Sequence, residues 1–252
     1  MDRAMVRFLS VVVPAYNERG RLRKTLEAMR DYLDGRSLNY EIIVVDDGSR
    51  DGTSALVQEL REPIPPLRLI STTRNHGKGY AVRAGVMSSR GDYILFADAD
   101  GASLFPEVEK LEAALAEGCH VAIGSRRSKG PVGVPRKWTL RSPVTAVFNW
   151  LVSALVMGGI RDTQCGFKMF PRHVALDLFQ SQNIDGFSFD VEILCISRLR
   201  GYRIAEVPIH WQAVPGSKVG LVRDGPRMIR DLFRIRAQAR RGLYGDMAKW
   251  SK

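Results

Sequence analysis

Cysteine is scarce in this sequence, and its three cysteines, Cys119, Cys165 and Cys195, are scattered without a CxxC pair. That spacing excludes a disulfide framework and a zinc site of the CxxC type, and it favours a reducing compartment. Lone cysteines most often serve as small buried apolar residues. We therefore expect these three to contribute to packing only.

A long apolar run is also missing from the sequence. The longest one, Val144–Ile160, spans 17 residues and contains Thr145, Asn149 and Ser153. A helix that crosses a bilayer needs about 20 mostly apolar residues, so we expect an interfacial or buried helix here. We expect no secretory signal either, because the opening residues run straight into the apolar stretch Val11–Val13.

Acidic residues are sparse in the second half of the chain. Residues 126–252 contain 22 Lys and Arg against 9 Asp and Glu, whereas residues 1–125 contain 16 against 18. The cationic half predicts an anionic partner, and nucleic acid, acidic lipid and a phosphorylated substrate all fit. Because the interleaved aromatic residues of a stacking platform are missing, we predict no nucleic-acid partner.

Two common nucleotide-binding signatures are absent as well. The sequence has neither the GxxxxGK[ST] spacing of a Walker loop nor a GxGxxG motif, which argues against a P-loop enzyme and a dinucleotide oxidoreductase. The tripeptide Gly77-Lys78-Gly79 precedes a predicted helix, so Lys78 and the nearby backbone amides are candidates for phosphate binding. A surface turn explains this tripeptide nearly as well.

Apolar runs alternate with helical patterns through the first half of the chain. Continuous β-branched runs such as Ile42–Val45 are typical of strands buried on both faces. The alternation predicts an α/β fold with a mainly parallel sheet flanked by helices. A helix is predicted at Pro106–Ala116, a basic loop at Ser125–Leu140, an apolar helix at Val144–Met157 and a basic helix at Pro226–Arg241.

Acidic side chains follow three of the predicted strands. Glu18 lies beyond the first strand, Asp46 and Asp47 follow the second, and Asp98 and Asp100 follow the fourth. Ligands of open parallel sheets bind beyond the carboxyl ends of the strands, so these groups are expected to share one edge. Adjacent carboxylates repel unless a cation neutralises them, so Asp98 and Asp100 predict a Mg²⁺ or Mn²⁺ site. A solvated acidic turn is the alternative for this DxD pair alone.

With these motifs in view, the chain resembles the family 2 glycosyltransferases with the Rossmann-like GT-A fold. Within them it is similar to the dolichyl- or polyprenyl-phosphate β-glucosyltransferases, from about Leu9 to Lys218. The first two motifs and the DxD are shared widely among such transferases, and the later ones are more specific. The matching segments are VVPAYNE (12–18), VVDDGS (44–49), GKG (77–79), ADADGA (97–102), GSR (124–126), IRDTQCGFK (160–168), FDVE (189–192) and GSK (216–218).

The resemblance implies an inverting, metal-dependent hexosyltransferase that moves a sugar, glucose from UDP-glucose, onto polyprenyl or dolichyl phosphate. Another donor, GDP-mannose or a UDP-N-acetylhexosamine, or a non-lipid acceptor stays open. The implied nucleotide-sugar contacts are Pro14, Ala15, Tyr16, Glu18, Asp46 or Asp47, Lys78, Asp98, Ala99, Asp100 and Arg126. Of these, Asp98 and Asp100 would bind the metal, and Arg126 would stabilise the departing UDP.

The second half is expected to receive the acceptor. The acceptor phosphate is assigned to Arg136, Arg141, Ser217 and Lys218. Asp162, Asp190 and Glu192 are catalytic candidates, as a base or as groups that orient the sugar hydroxyls, and Asp162 is favoured. An N-cap of the following helix is an equally good reading of Asp190. A phosphate monoester is already largely dianionic near neutral pH, so the nucleophile needs alignment more than deprotonation.

The predicted organisation is a GT-A catalytic domain at 1–216, followed by a basic amphipathic segment at 217–252. The domain divides into a nucleotide-sugar half, about 1–125, and an acceptor half, about 126–216. The last predicted helix and the apolar helix near Trp150 favour attachment to an anionic membrane surface, although docking onto the core explains the last helix equally well. We expect a peripheral protein on the cytoplasmic face of a membrane, with its oligomeric state open.

A second enzyme class uses a DxDG motif, namely the phosphatases with an aspartate nucleophile. There the motif usually follows the first strand and precedes Thr or Val. Here it follows the fourth predicted strand and precedes Ala102. The sequence therefore favours the transferase.

Overall fold

The structure, a computed structural model, describes residues 7–126, 141–156, 158–212, 214 and 220–245. In those residues strands and helices alternate. The strands are β1 (Phe8–Ala15), β2 (Asn39–Asp46), β3 (Leu67–Ser71), β4 (Tyr93–Ala97), β5 (Val121–Ser125), β6 (Phe167–Pro171) and β7 (Ile204–Pro208). The helices are α1 (Arg19–Asp34), α2 (Thr53–Leu60), α3 (Lys78–Met87), α4 (Val108–Ala116), α5 (Arg141–Leu155), α6 (Arg172–Gln180), α7 (Phe189–Leu199) and α8 (Leu221–Arg240).

The strands form one seven-stranded sheet in the order β3-β2-β1-β4-β6-β5-β7. All neighbours are parallel except β6, which is antiparallel to both β4 and β5. This confirms the predicted α/β class with a mainly parallel sheet. β1 lies between β2 and β4, so the strand order runs to one side of β1 through β2 and β3 and to its other side through β4. At such a reversal of strand order, a crevice opens at the carboxyl ends of the strands.

The core lies on both faces of the sheet, because successive side chains of a strand point to opposite sides. In β2, Ile43 and Val45 pack into one apolar cluster with residues of α3, α6, α7 and α8. Ile42 and Val44 pack into a second cluster with α1, α2 and α4. All four side chains are fully buried, as their continuous β-branched run predicted.

Three of the predicted helix boundaries need correction. The helix predicted at Pro106–Ala116 is a short 3-10 helix at Phe105–Glu107 that leads into α4. The apolar helix predicted at Val144–Met157 is α5, and its backbone begins earlier, at Arg141. α8 begins at Leu221 rather than at Pro226, because the Asp224 carboxylate accepts a hydrogen bond from the Gly220 amide (2.7 Å) and stabilises the earlier start.

α8 contributes to the main core. Met228, Leu232 and Ile235 are buried, and the latter two pack in the cluster that covers one face of the sheet. α8 therefore shares a core with the sheet. The division into a domain at 1–216 and a segment at 217–252 stays a prediction. Within the described residues, no helix is both long enough and apolar enough to cross a membrane.

Candidate active site

A cleft of about 700 Å³ lies at the carboxyl ends of β1 and β4, where the strand order reverses. Its walls are formed by the end of β1, the start of α1, the residue after β2, the loop before α3, the DxD segment after β4, the loop before α7 and one side of α8. The lining residues are Pro14, Ala15, Tyr16, Glu18, Arg21, Asp47, Asn75–Lys78, Ala81, Asp98–Asp100, Asn183–Phe187, Asp224, Arg227, Met228, Arg230, Asp231 and Arg234.

Asp98 directly follows β4. Its side chain fits there because the neighbouring residue, Gly166, has no Cβ atom. The Asp98 amide donates a hydrogen bond to the Gly166 carbonyl oxygen (3.0 Å). A Cβ atom at Gly166 would lie 2.0 Å from the Asp98 carboxylate. Gly166 immediately precedes the reversed strand β6, so the glycine allows this strand to pass the acidic group closely.

The backbone after Asp98 turns so that Asp100 also faces the cleft. The hydroxyl of Thr25 donates a hydrogen bond to the Ala99 carbonyl oxygen (2.9 Å), which ties the segment to α1. Gly101 has a positive φ of 66°, and the Asp100 carboxylate accepts a hydrogen bond from the Ala102 amide (3.0 Å). The chain therefore turns at Gly101, and both acidic side chains line one cleft.

Lys78 neutralises the first of these carboxylates. Its Nζ lies 2.6 Å from Oδ1 of Asp98, and it is the first residue of α3. Burial lowers the pKa of Lys78, but the negative charges of Asp98 and Asp190 outweigh that effect and raise the pKa above its usual value. A lysine side chain therefore already neutralises part of the charge of the DxD segment inside the cleft.

The donor set fits a divalent cation that shares its ligands with a substrate. Within the described part of the chain, no group of three or more His, Cys, Asp and Glu side chains could hold a metal ion. The protein would thus supply two carboxylates, those of Asp98 and Asp100. Mg²⁺ is usually bound in this way, by one or two carboxylates, with waters and phosphate oxygens completing its shell.

The two aspartates after β2 have different surroundings. Asp47 lines the cleft, and its carboxylate accepts hydrogen bonds from the amides of His76 (2.9 Å) and Gly77 (2.7 Å), which anchors the loop before α3. Asp46 does not line the cleft. Its carboxylate accepts hydrogen bonds from the Ser49 amide (3.0 Å) and the Ser54 hydroxyl, so it braces the turn after β2.

Arg126 and Asp162 form a bidentate ion pair beyond β5. Nε and Nη2 of Arg126 lie 2.7 and 2.6 Å from the two carboxylate oxygens, and the Arg126 amide donates a third hydrogen bond to the same group. Burial raises the pKa of Asp162, but the contacts with Arg126 outweigh it and lower the pKa. The Arg126 guanidinium also lies over the Trp211 ring, 5.6 Å from its centre. Asp162 therefore acts as an ionised carboxylate that orients the Arg126 guanidinium.

Asp190 belongs to a buried ion pair that the sequence reading missed. Nζ of Lys168 lies 2.5 Å from Oδ1 of Asp190 and 2.5 Å from the Cys165 carbonyl oxygen. Lys168 is fully buried in β6, with its Nζ 5.1 Å from the centre of the Phe96 ring. A single charged residue within the apolar strand FKMF was the signal that could have revealed it.

Glu192 organises the loop before α7. Its buried carboxylate accepts hydrogen bonds from the amides of Asn183 (3.0 Å) and Ile184 (2.8 Å) and from the Tyr244 hydroxyl. Burial raises the pKa of Glu192, and these hydrogen bonds oppose the rise. Glu192 thus holds one wall of the cleft, and like Asp162 and Asp190 it is not among the residues that line it.

Four residues were predicted to bind the acceptor phosphate. Arg136, Ser217 and Lys218 lie outside the described residues, and Arg141 is described by its backbone alone. The structure adds five charged residues of α8 to the cleft that the sequence reading did not place there. They are Asp224, Arg227, Arg230, Asp231 and Arg234.

Comparisons with known proteins point to one family. The family described as glycosyl transferase family 2 matches residues 10–179. The dolichyl-phosphate beta-glucosyltransferase of Mus musculus is 41% identical, over 94% of this chain and 77% of that protein. The enzyme of the same name from Saccharomyces cerevisiae is 38% identical, over 96% of this chain and 78% of that protein.

Solved structures share the fold. Glucosyl-3-phosphoglycerate synthase from Mycobacterium tuberculosis, in complex with Mn²⁺ and UDP-glucose, matches with a TM-score of 0.67 at 21% sequence identity. The match covers 94% of this chain and 79% of that one. The sheet and its switch-point cleft therefore define an α/β protein of the GT-A class.

The chain belongs to glycosyl transferase family 2. It is a glycosyltransferase, and both the family and the fold class predicted from the sequence motifs are confirmed.

Proposed function

We propose that this glycosyltransferase moves glucose from UDP-glucose onto polyprenyl or dolichyl phosphate, with inversion at the anomeric carbon. The observation that carries the proposal is the convergence of Asp98, Asp100 and Lys78 in one cleft at the switch point of the sheet. The names of the similar enzymes from mouse and yeast support the choice of sugar and acceptor.

The donor would lie across the end of β1 and the DxD segment. Tyr16 is partly exposed, and Glu18 is held by two contacts with Arg21, so the segment from Pro14 offers a fixed surface to the nucleoside. Asp47 would act here through the loop that it anchors. Asp98 and Asp100 would hold Mg²⁺ or Mn²⁺ together with the diphosphate, and Lys78 would meet the same phosphates.

The reaction needs no net proton transfer. An oxygen of the acceptor phosphate dianion attacks the anomeric carbon, the bond from that carbon to UDP breaks, and UDP leaves with the electron pair. Asp98 and Asp100 would hold a divalent cation, which would stabilise the charge that develops on the departing diphosphate. Lys78 would stabilise the same charge from inside the cleft. Arg126 is paired with Asp162 and does not line the cleft, so its part in stabilising UDP stays a prediction.

This scheme gives Asp162, Asp190 and Glu192 positioning roles. Each carboxylate is already bound by partners within the protein, and the acceptor is ionised before it binds. We therefore propose that no carboxylate acts as a base.

A panel of donors tests the assignment. Purified protein would be incubated with a polyprenyl phosphate, Mn²⁺ and either UDP-glucose, a UDP-N-acetylhexosamine or GDP-mannose, and the products analysed by mass and anomeric configuration. We expect a β-linked glucosyl phosphate with UDP-glucose, and its loss when a chelator removes the metal. A faster reaction with another donor would reassign the sugar. Transfer that persists in chelator would contradict the proposed dependence on a divalent metal.

We also propose that α5 and α8 rest on an anionic membrane surface on its cytoplasmic side. Val147 and Trp150 of α5 are exposed, as are Ile229 and Phe233 of α8. The two helices are in contact, since Arg236 of α8 donates a hydrogen bond to a carbonyl oxygen at the end of α5. Exposed apolar groups on a cationic part of the chain suit a surface of anionic lipid.

Vesicle binding tests the membrane face. Trp150→Ser and Phe233→Ser should each weaken binding to anionic vesicles by about tenfold, because each removes apolar area worth ~1.5–3 kcal/mol on full burial. Met87→Ser, which removes an exposed apolar side chain from the end of α3, is the matched control. Equal binding of all three variants and the wild type in co-sedimentation would contradict this face.

A further inference from the structure

α8 presents three different faces along its length. Residues at helical spacing share a face, and here one face enters the core, a second lines the cleft and a third is apolar and exposed. The core face comprises Met228, Leu232, Ile235 and Ala239, the cleft face Asp224, Arg227, Arg230, Asp231 and Arg234, and the exposed apolar face Ile229 and Phe233.

The cleft face of α8 lies beside the segment before α7. The Ser188 hydroxyl donates a hydrogen bond to the Met228 carbonyl oxygen (3.4 Å). The Asp231 carboxylate lies 3.8 Å from the position that a Cβ atom would take at Gly186. The hydrogen bond and this close approach place α8 beside the segment before α7, and the arginines of this face lie along the same cleft.

That segment in turn lies directly against the start of α3. A Cβ atom at Gly77 would lie 2.3 Å from the Asp185 carbonyl oxygen, so the two backbones touch. Lys78, the next residue, reaches Asp98. The arginine wall and the DxD segment therefore bound the same cleft, with the loop before α7 between them.

Within the described part of the chain, Asp231 interacts electrostatically with all three arginines, and Glu192 with Arg234, but none of the three forms a close ion pair. No carboxylate oxygen there lies within 4.0 Å of the guanidinium groups of Arg227, Arg230 or Arg234, whereas Arg36, Arg126 and Arg200 are all paired. Asp231 lies among them and is partly buried, and Asp224 caps the start of α8. The wall thus carries three exposed guanidinium groups beside two carboxylates.

We propose that Arg227, Arg230 and Arg234 bind the phosphate monoester of the acceptor. This inference rests on the proposed function and locates its acceptor site on α8. Guanidinium groups suit phosphate because their planar donors match two oxygens at once. The basic amphipathic pattern of α8 favoured a membrane role for these arginines, but their position in the cleft points to the substrate.

The neighbouring face of α8 explains why the ligand is the acceptor rather than the donor. Ile229 and Phe233 expose apolar surface directly beside the arginines. An amphipathic acceptor would lay its apolar chain on this side and its phosphate in the cleft. In the proposed function the donor diphosphate meets a different part of the cleft lining, Lys78 and the DxD carboxylates.

Binding measurements without turnover test this site. Farnesyl phosphate in detergent, or inorganic phosphate, would be titrated into protein saturated with UDP and Mn²⁺, and UDP titrated separately. Arg227→Ala, Arg230→Ala and Arg234→Ala should each weaken farnesyl phosphate binding by about 10- to 100-fold, as expected for the loss of a charge-assisted hydrogen bond. The UDP affinity should stay within about twofold, and Arg→Lys variants should recover part of the loss.

Arg240→Ala is the matched control, since Arg240 is exposed on the same helix but lies off the cleft. It should bind farnesyl phosphate as the wild type does. An equal loss of UDP affinity in the three variants would assign the arginines to the donor, and a loss of vesicle binding alone would assign them to the membrane. Either result, or no change at all, overturns the proposal. If wild-type binding depends on the arginines but no sugar is transferred, the site stands and the proposed reaction fails.

Discussion

Replacing either carboxylate of the DxD pair should reduce sugar transfer by roughly 10³-fold while the protein stays folded. Stabilisation of a departing diphosphate by a bound cation is worth several kcal/mol, and about 4 kcal/mol corresponds to that loss in rate. Asp98→Asn and Asp100→Asn keep the size and shape of the side chains. Both line the cleft without supporting the core, so thermal unfolding should change little.

The matched control removes an acidic group elsewhere. Asp31 of α1 is exposed and pairs only with its neighbour Arg30, so Asp31→Asn should retain full activity. Initial rates across a Mn²⁺ titration would separate weaker metal binding from slower chemistry. Wild-type rates in both DxD variants would remove the metal from the mechanism.

Asp190→Asn should lower the free energy of unfolding by about 3–5 kcal/mol, which is the usual cost of leaving one partner of a buried ion pair uncompensated. Lys168 would keep its charge inside the sheet, and the neutral amide introduced at position 190 and the Cys165 carbonyl oxygen could accept its hydrogen bonds without neutralising that charge. For a chain of this size, the loss lowers the thermal midpoint on the order of 10 °C. Differential scanning calorimetry measures the change directly.

Two further variants interpret that result. Asp177→Asn breaks a half-exposed pair with Arg200, and exposed pairs contribute only ~0–1 kcal/mol. The double variant Lys168→Met/Asp190→Leu removes both buried charges and should recover much of the stability, since apolar groups of similar volume often replace such pairs. Equal stability of Asp190→Asn and the wild type would show that the pair is not buried as described.

The fold and the acidic end of the cleft could be predicted because their signals are local. The β-branched run at Ile42–Val45 and the regular alternation of elements specify buried parallel strands. Polar residues that follow strands must meet at the carboxyl edge of the sheet, and this places Asp98 and Asp100 together without knowledge of any contact.

The roles that could not be predicted from the sequence are set by packing between distant segments of the chain. Lys168 pairs with Asp190, 22 residues away, and nothing in the local pattern of β6 names that partner. Arg227 and its neighbours form a basic amphipathic pattern that suits either a membrane or a cleft. Only the position of α8 against the loop before α7 distinguishes these two roles.

The carboxylates assigned to catalysis illustrate the same limit. Asp162, Asp190 and Glu192 are acidic residues in matching motifs, and from the sequence each could be a base or a group that orients the sugar hydroxyls, while Asp190 could also be an N-cap. Their hydrogen bonds to Arg126, Lys168 and the backbone of the cleft loop are visible only in three dimensions. The choice between a base and a positioning group therefore could not be made from residue type.

The central claim is that a divalent cation joins Asp98 and Asp100 to the diphosphate of the donor. Anomalous scattering from crystals soaked with UDP and Mn²⁺, recorded at the manganese edge, tests it without relying on activity. We predict a single strong peak within about 2.0–2.3 Å of carboxylate oxygens of this pair and of the diphosphate, the range of bonds between oxygen and small divalent cations. Bound UDP with no peak there, or a peak at other residues, would contradict the account.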